Sequence, residues 1–321
     1  MFSLKLSFNI SLNDKKNKPL MPSFTDFIDN STAKLSELSL NRRPATIKNY
    51  RTSIRSLRIY IQEADLASHP ITKEELIKYE RWLAHRGTSL NTSSAYIRSL
   101  RSLYYICYPD AEEDLFHHLY TGNARTSKRA LDIDSVRRLM ECRPLPDSPL
   151  RMWHDVFLFS IYALGMPFVD IAYLRWKDIH DGFIFYKRSK TKQQISVPIT
   201  SEMQQILDLY RFLATGELVF PILDSYDTPY SKYQNRLTQY NRALKQIMKN
   251  AGLSHKLTSY VARHTWATLA NTAGVRLAHI SQAMGHSSIK TTQIYLAQIS
   301  NDEIIADSLA VTRLMTSSKT L

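Results

Sequence analysis

Between residues 46 and 62 the apolar side chains Ile47, Tyr50, Ile54, Leu57 and Ile61 return every three or four positions, the spacing of one face of an α-helix. The same spacing recurs along most of the chain and restricts it to a mainly helical fold. It predicts helices over 25–38, 72–85 and 91–108, the last with Ile97, Leu100, Leu103 and Tyr104 on its apolar face. Thr72 followed by Glu75 is the pattern of a capping box. Farther on, helices are expected over 134–141, 150–164, 168–176, 201–213, 232–251, 258–273 and 277–284, with a tail helix after Asn301. Only one stretch breaks the pattern. Residues 182–186 and 195–199 read as two short strands, joined by the basic turn Lys187-Arg188-Ser189-Lys190-Thr191-Lys192.

A chain of 321 residues with 44% hydrophobic content can bury two cores. The expected division is an N-terminal extension (1–21), a small helical bundle (22–118), a polar basic linker (119–130), a larger domain (131–300) and a C-terminal tail (301–321). Lys and Arg number 42 against 29 Asp and Glu, a formal charge of +13, so the surface field attracts a polyanion. On the 46–62 helix Lys48, Arg51, Arg55 and Arg58 form a stripe beside the apolar one, with no acid between them. Those residues, with Arg98 and Arg101 on the 91–108 helix and Lys128 and Arg129 in the linker, are the candidate nucleic-acid contacts. Cys107 and Cys142 stand far apart without metal-ligand spacing, which argues against a zinc site or a disulfide framework and fits a reducing cytosol. No apolar run reaches about 18 residues, and residues 1–21 mix Lys, Asp and Asn. The expectation is a cytoplasmic protein with no membrane span, no metal and no other cofactor.

The chemistry concentrates near the C-terminus. Tyr295 follows His286 by nine residues in the run Met284-Gly285-His286-Ser287 to Thr291-Thr292-Gln293-Ile294-Tyr295, and Arg263-His264-Thr265 lies upstream. Tyrosine, arginine and histidine are the groups that break a phosphodiester by covalent catalysis without a metal. A phenol oxygen attacks phosphorus once guanidinium groups neutralise the oxygens around it, and the phosphotyrosine ester keeps the bond available for rejoining.

Arg263-His264-Thr265-Trp266-Ala267-Thr268, Gly274, Met284-Gly285-His286-Ser287 and Thr291-Thr292-Gln293-Ile294-Tyr295 resemble, almost position by position, the signature of the tyrosine recombinase (phage integrase) family. The stretches 165–179 and 257–268 are similar in wording to integrases of Bacteroidota mobile elements and to DNA invertases. The resemblance implies a helical core-binding (SAM-like) domain followed by a mostly helical catalytic domain with a small β-sheet. It implies a site-specific recombinase that cuts and rejoins duplex DNA at specific sites through a 3′-phosphotyrosyl link, the two domains clamping the duplex, with four protomers assembled on two sites.

The roles it implies are Tyr295 as nucleophile, Arg263 as a fork on the non-bridging oxygens, His286 as a hydrogen-bonding partner of the phosphate, and Lys190 as the acid protonating the departing 5′ oxygen, with Lys187 and Lys192 as rivals. Tyr260 stands where the family usually has a histidine and can still donate one hydrogen bond. A second departure weighs more. The family's first arginine should fall at Pro167, three residues before Asp170, or in related sequences at Leu164. Three explanations stand open: another cation such as Arg175 or Lys187 substitutes, the chain is a catalytically weakened DNA-binding regulator on the same scaffold, or the sequence was altered to trap a complex. About 20 residues precede the bundle, too few for an additional arm-binding domain, which favours a simple recombinase performing inversion, integration or excision.

Overall fold

The computed structural model describes residues 21–111, 114–124, 130–213, 216–254 and 257–286. Contacts divide the chain into two units, Met1–Arg125 and Thr126–Leu321.

Among the described residues of the first unit four helices stand together: α1 (Phe24–Asn41), α2 (Pro44–Ala64), α3 (Lys73–His85) and α4 (Leu90–Cys107). Each start has a local cause. Ser23 and Asp26 form a reciprocal capping box on α1, Pro44 opens α2 at the position where a missing N–H costs nothing, and Ser89 caps α4. Thr72 accepts the Glu75 amide at the head of α3. The apolar stripe of α2 packs with Phe27, Leu76, Tyr79 and Leu100 in one core, and the Tyr79 hydroxyl donates to Ser56. Arg51, Arg55 and Arg58 are exposed along α2, as is Lys48.

Arg98 is exposed and Arg101 half-buried, and both also bond to the segment that follows α4. Arg98 donates to the Thr121 carbonyl and the Asn123 side chain, while Arg101 pairs with Asp114. Ser94 donates to the Gly122 carbonyl, and Asn91 exchanges two bonds with Ala124. Together these contacts stitch 114–124 onto α4, so the start of the expected linker is bound structure. Lys128 and Arg129 lie outside the described residues.

The second unit is built around α6 (Arg151–Tyr162), buried along nearly its whole length. Around it stand α5 (Ile133–Glu141), α7 (Phe168–Ala172), α8 (Ser201–Leu213), α9 (Tyr230–Asn250), α10 (Val261–Thr272) and α11 (Leu277–Ala283). One antiparallel sheet has the order β1 (Ile179–His180), β2 (Phe183–Lys187), β3 (Gln194–Pro198). Asp181 and Gly182, both at positive φ, make the tight turn that an Asp-Gly pair favours between β1 and β2. Ile184 pairs with Val197 and Tyr186 with Ile195, all four facing the core.

The expected helix over 168–176 is cut to Phe168–Ala172. Beyond it the backbone pairs with another segment: Val219 N–H donates to the Leu174 carbonyl and Trp176 N–H to the Glu217 carbonyl. A 3₁₀ turn over Trp176–Asp178 and strand β1 follow, neither anticipated from periodicity. Tertiary pairing here overrides the local pattern. Among the described residues no helix is long and apolar enough to cross a membrane.

Candidate active site

Arg263 occupies the first turn of α10 and is only 1% exposed, making it the largest fully buried side chain among the described residues. Its Nη1 donates to the Gly165 carbonyl at 2.9 Å, and Nη2 donates to the Met284 carbonyl and reaches His286 Nε2 at 3.0 Å. Gly165 permits this approach. It sits at φ +71° in the turn between α6 and α7, and a Cβ there would lie 3.0 Å from the Arg263 Cα.

His286 is placed by the end of α11. Gly285 adopts φ +60°, its N–H donates to the Gln282 carbonyl, and the His286 N–H donates to the Ser281 carbonyl, the paired bonds of a Schellman motif. Met284-Gly285-His286 is therefore a helix stop that turns the imidazole toward Arg263. A guanidinium can only donate, so the facing Nε2 accepts and the neutral ring carries its hydrogen on Nδ1. Burial, then the charges of Arg263, Arg188 and Lys190, hold the imidazole pKa down to about 4. The ring also lines an open cleft of about 390 Å³ with Gln193, Gln194, Ser281 and Gln282.

The turn between β2 and β3 supplies the remaining charges. Asp170 on α7 anchors it, accepting from the Ser189 N–H at 2.9 Å and the Ser189 hydroxyl at 2.6 Å. Burial raises the Asp170 carboxyl above its ordinary pKa, against the pull of the Ser189 bonds and of the charges of Arg188 and Arg263. Of the three lysines, Lys190 is the one whose charge acts on His286. Lys187 lines a second cleft with Arg175 and Tyr226, which Asp170 and Ser189 also border.

Arg188 was not among the sequence-based candidates, yet it is 5% exposed and donates to the Gly285 carbonyl at 2.6 Å. The pleat of β2 carried the signal: Ile184 and Tyr186 face inward, and a period of two puts Arg188 on their side.

The structure thus gathers Arg263, His286 and Lys190. Tyr260, just ahead of α10, is 43% exposed, and its ring meets His264 edge-on at 5.0 Å. Arg175 is engaged by an acid and a ring: its Nε and Nη2 both donate to Asp178, and it lies over the Tyr226 ring at 4.2 Å. Tyr295 lies outside the described residues. The arrangement is a buried, net-positive receptor with a neutral imidazole at its mouth, suited to an oxyanion.

The sequence profile of the phage integrase family matches residues 129–301, and that of the phage integrase SAM-like domain matches residues 23–108. The first match spans more than half of the chain, and the protein belongs to the phage integrase family. It is a tyrosine recombinase, an enzyme of site-specific DNA recombination. Tyrosine recombinase XerD of Listeria monocytogenes is 26% identical over 259 residues, covering 78% of this chain and 86% of that protein. Tyrosine recombinase XerA of Pyrococcus furiosus is 22% identical over 226 residues, covering 70% and 76%. A lambda integrase dimer bound to a COC′ core site shares the fold with a TM-score of 0.65 at 16% identity, covering 83% of this chain and 94% of that one. The Tn1549 transposon integrase in complex with transposon right end DNA does so with a TM-score of 0.66 at 16% identity, covering 89% and 99%.

Proposed function

We propose that the Arg263 cluster is where this recombinase holds the phosphate it cuts. The carrying observation is the contact of Arg263 with His286 in a buried site where two further cations, Arg188 and Lys190, act on the imidazole. Arg263 binds the non-bridging oxygens, and His286 donates from Nδ1 to the same phosphate. Tyr295 supplies the phenol oxygen. The new bond is O–P at the 3′ side; the P–O5′ bond breaks, the phenol proton passes to solvent, and Lys190 protonates the leaving 5′ oxygen. One phosphodiester is exchanged for another, so the step needs no external energy source. The 5′ hydroxyl of a partner strand then reverses the reaction.

The substrate is duplex DNA at a specific recombination site, in the cytoplasm. The exposed stripe Lys48, Arg51, Arg55 and Arg58 meets phosphates, with Lys128 and Arg129 assigned to the same task, and Tyr260 adds one hydrogen bond at the site. Four protomers act on two sites, the tail after residue 301 docking on a neighbour; the outcome is inversion or the integration and excision of a mobile element. A structure of a lambda integrase tetramer bound to a Holliday junction supports that assembly as the form such a reaction takes. The test is a nicked duplex whose 5′ fragment diffuses away after cleavage. A covalent protein–DNA adduct in the wild type that is lost in Tyr295→Phe supports the reading; tight binding without any adduct refutes it.

A further inference from the structure

We propose that Arg188 contacts the scissile phosphate and supplies the guanidinium that the turn between α6 and α7 lacks, an assignment that rests on reading the Arg263 cluster as the recombination site. The two positions where that charge was expected cannot provide it. Pro167 stands immediately before α7, and Leu164, at φ +57°, packs against the core. Arg175 is held by Asp178 and Tyr226, and Lys187 opens on the same cleft as Arg175.

Arg188 enters from the turn that follows β2. It and Arg263 grip consecutive carbonyls of one helix stop, Gly285 and Met284 respectively, so both guanidiniums are held beside His286. The stem is seated as firmly as the head: a Cβ at Gly285 would stand 3.1 Å from the Arg188 Cδ. Among the described residues nothing accepts a hydrogen bond from the buried Arg188 Nε. A guanidinium offers five N–H donors, and burying one with a donor unused is unfavourable unless a ligand arrives. The local charge points to the ligand's sign. Among the described residues one buried carboxylate, Asp170, feels both Arg188 and Arg263, which leaves an excess of positive charge that an anionic phosphodiester neutralises. A rigid planar fork on each side of a phosphate is what two non-bridging oxygens require.

The experiment uses the full chain and a nicked duplex built on the sequence that the chain itself selects from a random pool. It is made in two forms, with the ordinary scissile phosphate and with a methylphosphonate there. The methyl group removes one non-bridging oxygen and its charge, and with them the need for a second guanidinium. On phosphate DNA, Arg188→Ala forms the covalent adduct roughly 100- to 1,000-fold more slowly than wild type, the usual effect of removing one oxyanion donor, with DNA affinity little changed. On methylphosphonate DNA the two proteins differ only a few-fold. Arg188→Lys, which keeps the stem packed should the alanine variant fail to fold, shows the same selective loss on phosphate DNA at about 10-fold or more. Equal slowing on both substrates marks Arg188 as a brace for Gly285 alone and overturns the proposal, as does wild-type speed on phosphate DNA. A wild-type chain that binds its selected duplex and leaves no adduct overturns the recombination-site reading itself, whatever position 188 holds.

Discussion

Lowering the pH from 7 to 4 tests the electrostatics of the site through a single imidazole. His286 has a pKa near 4 because it is buried and faces the charges of Arg263, Arg188 and Lys190, whereas an unperturbed histidine titrates near 6.5. That gap of about 2.5 units corresponds to about 3 kcal/mol at 1.36 kcal/mol per unit. As pH falls through about 6.5 the unfolded chain takes up a proton that the native chain refuses until about 4, so acid favours unfolding across that window. The native state therefore has the full contribution above about 6.5 and has lost it by about 4. His286→Gln keeps an acceptor for Arg263 and removes the titration. Urea unfolding from pH 7 to 4 should show the wild type losing about 3 kcal/mol more than the variant. With ¹³C-labelled histidines, the one resonance missing in His286→Gln should titrate with a midpoint near 4. A midpoint at about 6 or above, or superposable stability curves, refutes the claim that this pocket carries a net positive field. DNA supplies the missing anion, so binding raises the imidazole pKa, and complex formation near pH 5 should take up protons.

Three further outcomes follow from the packing. Gly285→Ala adds a Cβ 2.6 Å from Ile195 Cδ1 at φ +60°, and strain plus overpacking should cost about 2–4 kcal/mol, read as a melting shift of several degrees; Gly274→Ala, also at positive φ but with open space around it, should lose only about 1 kcal/mol. Asp155 is buried on α6 and accepts from Arg151 at 2.8 Å, Arg143 at 3.3 Å and the Tyr210 hydroxyl at 3.2 Å, so Asp155→Ala should destabilise by about 3–5 kcal/mol in urea titrations. Arg51→Gln with Arg55→Gln, on exposed α2 positions, should leave melting unchanged within about 0.5 kcal/mol and reduce the salt slope of DNA binding by roughly 1.8; an unchanged slope would place the DNA elsewhere.

What could be read from the residues, and what could not, divides along a physical line. The helices announce themselves because α2 and α4 bury one stripe each, and a stripe leaves a period. Arg263 and His286 were legible because they fall in a run that resembles a family signature, and the structure adds the helix stop at Gly285 that brings them together. The 3₁₀ turn and β1 were not legible, since the backbone of 174–176 is extended by pairing with 217–219, a partner more than 40 residues away. Arg188 escaped for a different reason. Arginine in a lysine-rich turn looks like solvated charge, because burying a guanidinium is costly wherever nothing offsets it. Here Asp170 offsets part of that cost, the helix-stop carbonyls at 284 and 285 take donors, and the remainder is left for a ligand. A site that must bind an anion has to store uncompensated positive charge in advance, so its key residue breaks the rule by which surface charges are recognised. The inward phase of Ile184 and Tyr186 was the one local sign, and it marks position 188 by geometry alone.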